Sequence, residues 1–438
     1  MTGAAVHPAG SRVDLPPHHL EAARFVAALH ARAMGPRLAA ALGISHRPCH
    51  VLDAKYEPGH QATVLYQHGV DLIRGDLLAA DRPPVAAAVT EWPGMQLSVF
   101  PEDPGLPTLP MAMASLVVGP RLAELSPAQN PLLRRALARR CTVALLRYRP
   151  GRRATLRLGA AIDGASYVAK VYHDPVKAAA VAQEAQALAR TVRGGVLRLA
   201  PAVGHLPELA AVVQRSIHGR PLDAVLRAPG EPGVAAVDAV RRAASALAQL
   251  HRGDPVSTRL RPVEKELHRF GARALRIAAV DADLGDQLAG LAQRLLETGG
   301  VFPVRPVGLV HGDCKPAQFL LADDGGVYVL DFDHCGLSDQ AGDAGTFVAS
   351  LRQAAVRRAV AGSSPVTTAG LEALAGEFIA AYNTGRGEDL TTRIRWHEVV
   401  SLQRKAIRAF ARSPRSSLPA ALVQEGHRCL DRLTQELP

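Results

Sequence analysis

The sequence predicts an α+β fold with more than one lobe. Its 438 residues exceed the roughly 150 residues that one compact domain usually needs, so two or three lobes are expected. Residues 141–172 alternate short apolar runs with turn signals, which is the pattern of an antiparallel sheet. From residue 234 onward, long segments with helical periodicity dominate. A sheet followed by a mainly helical segment is typical of the α+β class.

Composition and charge are those of an ordinary globular protein. Hydrophobic residues make up 48% and charged residues 21% of the chain, and the formal net charge is +11. The arginines are spread over the whole length without the interleaved aromatic residues of a single-strand binding surface, so nucleic acid is not the expected partner. No apolar run approaches the ~20 residues of a membrane span, and no membrane partner is expected.

The cysteines and the first residues of the sequence indicate the cellular compartment of the protein. The five cysteines include no C-x-x-C pair, and such an odd, sparse set argues against a disulfide framework. The beginning of the sequence lacks the apolar core of a signal peptide. A cytoplasmic location is therefore expected.

Three predictions concern residues 1–125, which we expect to form an N-terminal extension or cap. Residues 20–42 carry Ala and Leu at helical spacing and predict one amphipathic helix. Residues 50–66 are strand-like. Residues 81–110 are rich in Pro and Gly, include the run Glu102-Asp103-Pro104-Gly105, and predict a surface connection.

A short internal repeat links two predicted hairpins. Residues 55–64 and 147–156 share the order strand, Pro-Gly turn, strand, with turns at Pro58-Gly59 and Pro150-Gly151. Pro presets the first turn position, and Gly accepts the positive φ of a type II turn. Two interpretations are open: a duplicated piece of sheet, or two unrelated hairpins with the same turn chemistry.

The second hairpin begins a larger unit. Asp163-Gly164 marks the next turn, residues 167–172 a third strand, and residues 209–214 a further short strand. Asp174 is a good N-cap for a helix over residues 176–192. Further helices are expected over residues 234–252, 263–298, 370–382 and 394–411, and strand-like runs over residues 309–321 and 327–333.

The strongest chemical signal lies in these last strand-like runs. It consists of His311-Gly312-Asp313-Cys314-Lys315-Pro316-Ala317-Gln318, followed after a hairpin turn by Leu330-Asp331-Phe332-Asp333. Phosphoryl transfer needs a carboxylate to orient the attacking hydroxyl and oxygen ligands to hold Mg²⁺. Asp313 suits the first role, and Gln318 and Asp331 suit the second.

The two segments resemble the catalytic loop and metal-binding aspartate of the protein-kinase-like superfamily, and in particular the aminoglycoside phosphotransferase and choline kinase family. That family has an amide five residues beyond the Asp of His-Gly-Asp, where this sequence carries Gln318 instead of the usual Asn. In having Gln at that position, this sequence resembles maltokinase-like sugar kinases. The resemblance implies a bilobal fold, with a small antiparallel-sheet N-lobe over residues 126–216 and a mainly helical C-lobe over residues 217–438.

The resemblance also implies roles for further residues. Lys315 would offset charge in the transition state, and Asp333 would assist with a second metal. Lys170 in the third strand and Glu184 in the following helix resemble the lysine that grips the nucleotide phosphates and the glutamate that positions it. The adenine of ATP would be received by backbone groups of the hinge residues Gln214, Arg215 and Ser216.

The implied activity is that of an ATP- and Mg²⁺-dependent kinase that phosphorylates a hydroxyl of a small molecule, such as an aminoglycoside, a sugar or a natural product. The sequence has no Gly-rich loop of the protein-kinase type, because residues 148–156 contain only one glycine, Gly151. The same residues contain three arginines, Arg149, Arg152 and Arg153, which face either phosphates or water. No Ala-Pro-Glu run follows Asp331, so protein substrates are disfavoured. Arginine-rich C-terminal helices favour a neutral or anionic acceptor.

Two other interpretations compete with this one. A pseudokinase or nucleotide-binding regulator would use the same fold without turnover, although no catalytic residue is missing. A zinc site would use His311, Cys314, His334 and Cys335, but their spacing differs from that of known structural zinc sites.

Overall fold

The computed structural model describes residues 17–77, 95–117, 141–160, 166–192, 194–200, 202–227, 233–302, 307–362 and 365–436. Antiparallel sheets dominate the first half of these residues, and helices dominate the second half. The predicted α+β fold, with a sheet lobe and a mainly helical lobe, is confirmed. No helix in these ranges is long and apolar enough to cross a membrane.

The N-terminal region begins with two helices rather than the single helix predicted over residues 20–42. Helix α1 spans Pro17–Ala28 and α2 spans Ala31–Leu42. Phe25 and Met34 are both fully buried in one core. They are nine positions apart, which would put them on opposite sides of a continuous helix at about 100° per residue. The break between α1 and α2 lets both side chains enter the same core.

A four-stranded antiparallel meander follows the two helices. Its strands are β1 (Cys49–Glu57), β2 (Gln61–His68), β3 (Asp71–Leu77) and β4 (Met95–Val99). The strand-like run predicted over residues 50–66 is thus a hairpin, and Gly59 in its turn has the expected positive φ of 69°.

Of the surface connection predicted for residues 81–110, residues 81–94 lie outside the described residues. The remainder, from β4 into helix α3 (Leu109–Val117), is partly buried rather than a surface connection. Asp103 is only 4% exposed, and Leu106 and Leu109 are fully buried. Pro and Gly correctly predict the turns, but they do not predict whether a turn is buried by other segments of the protein. Asp103 is covered because hydrogen-bond donors from three segments surround its carboxylate.

The second antiparallel sheet has five strands in the order β5-β6-β7-β10-β9. Gly151, in the turn between β5 and β6, again has the expected positive φ, and Asp174 caps the helix after β7 by accepting the Val176 N–H at 2.9 Å. The predicted Asp163-Gly164 turn lies outside the described residues. The ranges are β5 (Cys141–Arg149), β6 (Arg153–Ala160), β7 (Ser166–Tyr172), α4 (Pro175–Thr191), β8 (Leu197–Leu199), β9 (Ala202–Leu206) and β10 (Ala211–Arg215).

The helical lobe contains two small sheets, with strand orders β11-β13-β14-β8 and β12-β15. The helix predicted over residues 263–298 is two helices, because Asp281 accepts the Leu284 N–H at 3.0 Å and starts a new helix. The ranges are β11 (Arg220–Pro221), α5 (Leu222–Leu226), α6 (Val234–His251), α7 (Val263–Ala278), α8 (Ala282–Gly299), β12 (Gly308–Val310), β13 (Phe319–Leu321), β14 (Val327–Val329), β15 (Gly336–Ser338), α9 (Ala341–Val360), α10 (Pro365–Arg386), α11 (Thr391–Arg412) and α12 (Leu418–Glu436).

The N-terminal region packs against both lobes. Its helices and first sheet share a hydrophobic core with α7, α8, α11 and α12. Leu65 of β2 and three residues around α3 share a second core with β5, β6 and β7. The N-terminal region therefore packs against the sheet lobe and the helical lobe through two separate cores.

Candidate active site

One face of the second sheet supplies cations to the candidate site. Arg153 in β6 lies opposite Tyr172 in β7, and Thr155 lies opposite Lys170. Opposite residues of an antiparallel pair share a face, and so do residues two apart along a strand. All four side chains therefore lie on the same face of the sheet.

This face meets two carboxylates from the helical lobe. Lys170 Nζ lies 2.8 Å from Asp331 Oδ1 and 3.0 Å from Asp333 Oδ1. Arg153 donates to both oxygens of Asp331, at 2.8 and 3.2 Å, and also to Asp333. The Tyr172 hydroxyl donates to Asp333 Oδ1 at 2.9 Å. Two cations and two carboxylates thus join the lobes across the site.

Asp331 is held in an unfavourable backbone conformation. Its φ of 65° is in the left-handed region, which costs a residue with a Cβ about 1 kcal/mol. Burial opposes ionisation of this carboxyl, but Lys170 and Arg153 outweigh burial and hold the pKa of Asp331 far below its usual value. Strain and a fixed negative charge together mark Asp331 as a functional residue.

Glu184, in α4, does not contact Lys170 in this structure. Glu184 Oε1 accepts the Ser257 hydroxyl at 2.7 Å and lies 3.5 Å from Arg259 Nη2. Glu184 Oε2 is buried and has no hydrogen-bond partner among the described residues. The expected lysine–glutamate pair is replaced here by the pair of Lys170 with Asp331, because the aspartates attract the same ammonium group.

Gly312 allows the turn of the predicted catalytic loop. Its φ is +78°, and a Cβ at this position would lie 2.1 Å from the carbonyl oxygen of His334. The N–H groups of His311 and Gly312 donate to the carboxylate of Asp343, at the start of α9, at 2.5 and 2.9 Å. The loop is therefore held by its own backbone and by one buried acid.

His311 connects this loop to the end of β14. Its Nδ1 accepts the Asp313 N–H at 3.2 Å, and its Nε2 donates to the Leu330 carbonyl at 2.6 Å. A neutral imidazole with its proton on Nε2 satisfies both bonds. Both ring nitrogens are used, so His311 offers none to the alternative zinc site.

Asp313 has one occupied and one open carboxylate oxygen. Its Oδ2 accepts from Lys315 Nζ and, at 3.5 Å, from the side-chain amide of Gln318. Its Oδ1 has no partner in the part of the chain that the structure describes. Burial opposes ionisation, but Lys315, and then Arg408 and His311, lower the pKa of Asp313 below its usual value. The carboxylate is charged and positioned to accept one more hydrogen bond.

The β13–β14 hairpin places Gln318 beside Asp331. Phe319 pairs with Val329, and the carbonyl of Gln318 accepts the Leu330 N–H at 2.9 Å. Gln318 and Asp331 are therefore at the same end of this hairpin. Their shared position brings an amide, Asp331 and Asp333 to one edge of the cleft.

The comparisons with known proteins agree with this geometry. Residues 153–397, more than half of the chain, match the APH family, described as the phosphotransferase enzyme family. The chain belongs to this phosphotransferase family. Membership confirms the expected class of enzyme, a kinase that transfers phosphoryl groups to hydroxyls of small molecules. No curated protein sequence matches the chain.

Several solved structures are similar to this phosphotransferase at low identity. A choline/ethanolamine kinase family protein from Mesorhizobium loti is 18% identical, with 73% of this chain and 94% of that chain covered and a TM-score of 0.43. A macrolide 2′-phosphotransferase from Brachybacterium faecium is 18% identical, with coverages of 64% and 91% and a TM-score of 0.43. A glucosamine kinase in complex with glucosamine, ADP and inorganic phosphate is 18% identical, with coverages of 95% and 99% and a TM-score of 0.42.

The predicted hinge residues Gln214, Arg215 and Ser216 do not all present their side chains on one face of the sheet. Gln214 lies opposite Val168, two positions from Lys170, and so is on the cation-bearing face of the sheet. Arg215 lies opposite Tyr167 and is on the other face. The Ser216 N–H donates to the Ser166 carbonyl at 2.8 Å. Among the side chains of the three predicted hinge residues, that of Gln214 shares the face of the sheet with Lys170.

The sequence analysis did not identify Tyr172 as a site residue, and it left open whether the hairpin arginines face phosphates or water. Arg153 and Tyr172 bond to the two aspartates, although the two-residue spacing of Tyr172 from Lys170 already indicates a shared face. Arg149, at the end of β5, has its pKa lowered to about 10 by burial and by Arg147 and Arg153, while Asp331 and Asp313 act in the opposite sense. The arginine-bearing hairpin therefore faces the acids of the cleft rather than only water.

Most of the C-terminal arginines that favoured a neutral or anionic acceptor are neutralised within the protein. Arg352 contacts Glu372, Glu398 and Glu425, and Arg404 contacts Glu266 through two nitrogens. The number of arginines is therefore a poor guide to the charge of the acceptor. The cations that can indicate the charge of the acceptor are those without a carboxylate partner among the described residues.

The donor set fits a hard divalent cation. Asp331 and Asp333 bring their carboxylates to the same two cations. Gln318, at the same end of the hairpin as Asp331, has an amide oxygen that could be added to this set. No cluster of three or more His, Cys, Asp or Glu side chains in the described ranges could hold a metal alone. A Mg²⁺ ion at this edge would need further oxygens, such as those of nucleotide phosphates.

Proposed function

We propose that this phosphotransferase uses ATP and Mg²⁺ to phosphorylate a hydroxyl of a small molecule, with Asp313 as the residue that orients and deprotonates that hydroxyl. The observation that carries the proposal is the charged Asp313 carboxylate with one open oxygen, next to the Asp331 and Asp333 edge. The loop around Asp313 is preorganised by Gly312 and Asp343, as a catalytic loop requires.

The acceptor hydroxyl would donate to Asp313 Oδ1, which accepts no other hydrogen bond among the described residues. As the hydroxyl oxygen bonds to the γ-phosphorus, its proton passes to Asp313 and the bond from phosphorus to the ADP oxygen breaks. Lys315, bonded to Asp313 Oδ2, places a positive charge beside the oxygens on which negative charge increases. ADP leaves with the electrons of the broken bond.

The phosphates of ATP would be held by the cations of the second sheet. Lys170 and Arg153 already bind carboxylate oxygens at this position, and a phosphate presents the same type of acceptor. Asp331, Asp333 and Gln318 would hold Mg²⁺, which supplies charge neutralisation and orientation of the phosphates when bound. Gln214 would lie on the adenine side of the cleft, and Glu184, through its free Oε2, is suited to receive Lys170 once the aspartates bind metal.

The pseudokinase interpretation predicts the same nucleotide binding without transfer. It is less well supported, because every residue that the reaction needs is present and the loop that carries Asp313 is rigidly bonded. Only turnover with an acceptor distinguishes the two.

Titration calorimetry of Mg²⁺-ATP tests the nucleotide part of the proposal. Lys170→Met and Asp331→Asn should each weaken binding by about tenfold or more, because each removes a charged contact in a mostly buried site. Lys265→Met is the matched control, since Lys265 is exposed on α7 and loses the same charge. Equal affinity in Lys170→Met, Lys265→Met and wild type would exclude the proposed phosphate site.

A further inference from the structure

Helix α11 carries two cations, Lys405 and Arg408, that have no acidic partner among the described residues. Lys405 Nζ contacts only neutral oxygens of α9, the Ser350 hydroxyl at 3.0 Å and the Gln353 amide at 3.3 Å. Arg408 makes no hydrogen bond or ion pair with any described residue. The two residues are three positions apart, so they lie on the same side of α11.

The surroundings of this pair are strongly positive. Arg404, on the same side of α11, is matched by Glu266, and Lys315 is matched by Asp313. No further carboxylate contacts Lys405 or Arg408 in the described ranges. Burial lowers the pKa of Lys405 to about 7, and Arg404, Arg408 and Lys315 lower it in the same sense, against Asp313. Lys405 is partly buried and Arg408 is exposed, so the pair is accessible to a ligand, and an anion bound between the two cations would offset their mutual repulsion.

The pair lies on the acceptor side of the reaction rather than the nucleotide side. Lys405 contacts Ser350 of α9, which lies two helical turns after Asp343, and the Asp343 carboxylate holds the loop that carries Asp313. Arg408 and Asp313 also interact electrostatically, because Arg408 is among the groups that lower the pKa of Asp313. Asp331 and Asp333, which would hold the metal, are neutralised by Arg153 and Lys170 from the opposite lobe. The cations of α11 are therefore near the residue that receives the acceptor hydroxyl.

We infer that Lys405 and Arg408 form a subsite for an anionic group of the acceptor, so the substrate is a hydroxyl-bearing small molecule that also carries a carboxylate or a phosphate. This inference rests on the proposed function, in which Asp313 orients the acceptor hydroxyl. An acceptor with its anion on α11 would be fixed at two points, and a cationic acceptor such as an aminoglycoside would be repelled.

Charge-matched ligands test the inference directly. D-Glucose, D-glucuronate, D-glucose 6-phosphate and D-glucosamine share a ring and differ in charge, and glycerol and D-glycerate form a second series. Calorimetry with the full chain should show the anionic members binding about tenfold or more tighter than the neutral ones, with glucosamine weakest. The advantage should disappear in Lys405→Met and in Arg408→Gln, while the affinity for Mg²⁺-ATP stays unchanged.

Two controls separate this result from misfolding and from a general charge effect. Arg432→Gln removes one positive charge from α12, where the Arg432 guanidinium is 58% exposed, and should keep the preference for anions. Arg408→Lys keeps the charge and should retain most of the preference. Charge-independent binding, a preference for glucosamine, or a preference for anions that survives both Lys405→Met and Arg408→Gln would overturn the inference.

The outcomes also distinguish this subsite from the proposed function. Anion binding that depends on Lys405 and Arg408, without phosphoryl transfer to any ligand, would support the subsite and count against the kinase reaction. Transfer to neutral or cationic acceptors that is unaffected by both variants would support the kinase and refute the subsite. Weaker Mg²⁺-ATP binding in both variants would assign the cations to the nucleotide and likewise refute it.

Discussion

Asp103 provides the sharpest test of how the N-terminal region supports the active site. Its side chain has no solvent exposure and pairs with Arg74 of β3. It also accepts the Tyr148 hydroxyl at 2.8 Å, the Gly105 N–H at 2.9 Å and the Gly151 N–H at 2.6 Å. Gly151 is the turn of the hairpin that carries Arg153, so Asp103 fixes the loop that reaches Asp331.

Asp103→Asn should destabilise the protein by about 3–5 kcal/mol. The amide oxygen can still accept two of the four bonds, and each lost bond to a buried charge costs about 1.5–3 kcal/mol. Arg74 keeps Asp76 at 2.6 Å, which limits the loss. Because the hairpin turn is released, the KM for ATP should also rise by about three- to tenfold.

Urea denaturation and steady-state kinetics measure the two effects. Asp76→Asn is the matched control, because Asp76 binds the same arginine and the Thr63 hydroxyl but is 25% exposed, so solvent compensates for part of the lost interaction. If Asp103→Asn unfolds like Asp76→Asn and its KM for ATP equals that of wild type, Asp103 does not position the hairpin.

Three further predictions concern the catalytic loop and its surroundings. Gly312→Ala should lower kcat by about a hundredfold or more, since its Cβ would collide with the His334 carbonyl; normal kcat would contradict the described loop. Asp343→Asn weakens the bonds to the His311 and Gly312 N–H groups, so kcat should fall more than the affinity for Mg²⁺-ATP in calorimetry, and equal losses would refute this role. The pKa of Lys405 is about 7 in the folded protein, compared with an ordinary value of 10.5. Between pH 7 and pH 10.5 the unfolded chain therefore binds more protons than the folded protein, and the free energy of unfolding rises with pH. Lys405→Met should therefore gain stability relative to wild type below pH 7 and lose that gain as pH rises toward 10.5; a stability difference in urea that is constant with pH would contradict the lowered pKa.

Local signals in the sequence predicted local structure well. The two Pro-Gly turns, the Asp174 cap and the order of the catalytic segments depend on residues that are neighbours along the chain. Asp281 carried the same capping signal as Asp174, yet the helical periodicity on either side of it hid the break between α7 and α8. The break after α1 had no such signal, because it is set by packing of Phe25 and Met34 in one core.

The polar contacts of the site depend on register and on packing between distant segments. Arg153 meets Asp331 because β6 and β7 pair in one register and the two lobes face each other. Asp103 joins β3 to the β5–β6 turn across more than forty residues of chain. Motif spacing predicts which residues carry the chemistry, but it does not predict which cation neutralises which acid.

The most direct test of the central claim is acceptor-dependent release of ADP from Mg²⁺-ATP by wild type and by Asp313→Asn. The panel should include the charge-matched sugars and polyols together with aminoglycosides, nucleosides and amino alcohols. We expect ADP release that requires one class of acceptor and disappears in Asp313→Asn, while both proteins bind Mg²⁺-ATP with similar affinity. Acceptor-dependent ADP release that continues at the wild-type rate in Asp313→Asn would contradict the assignment of Asp313, and with it the proposed mechanism.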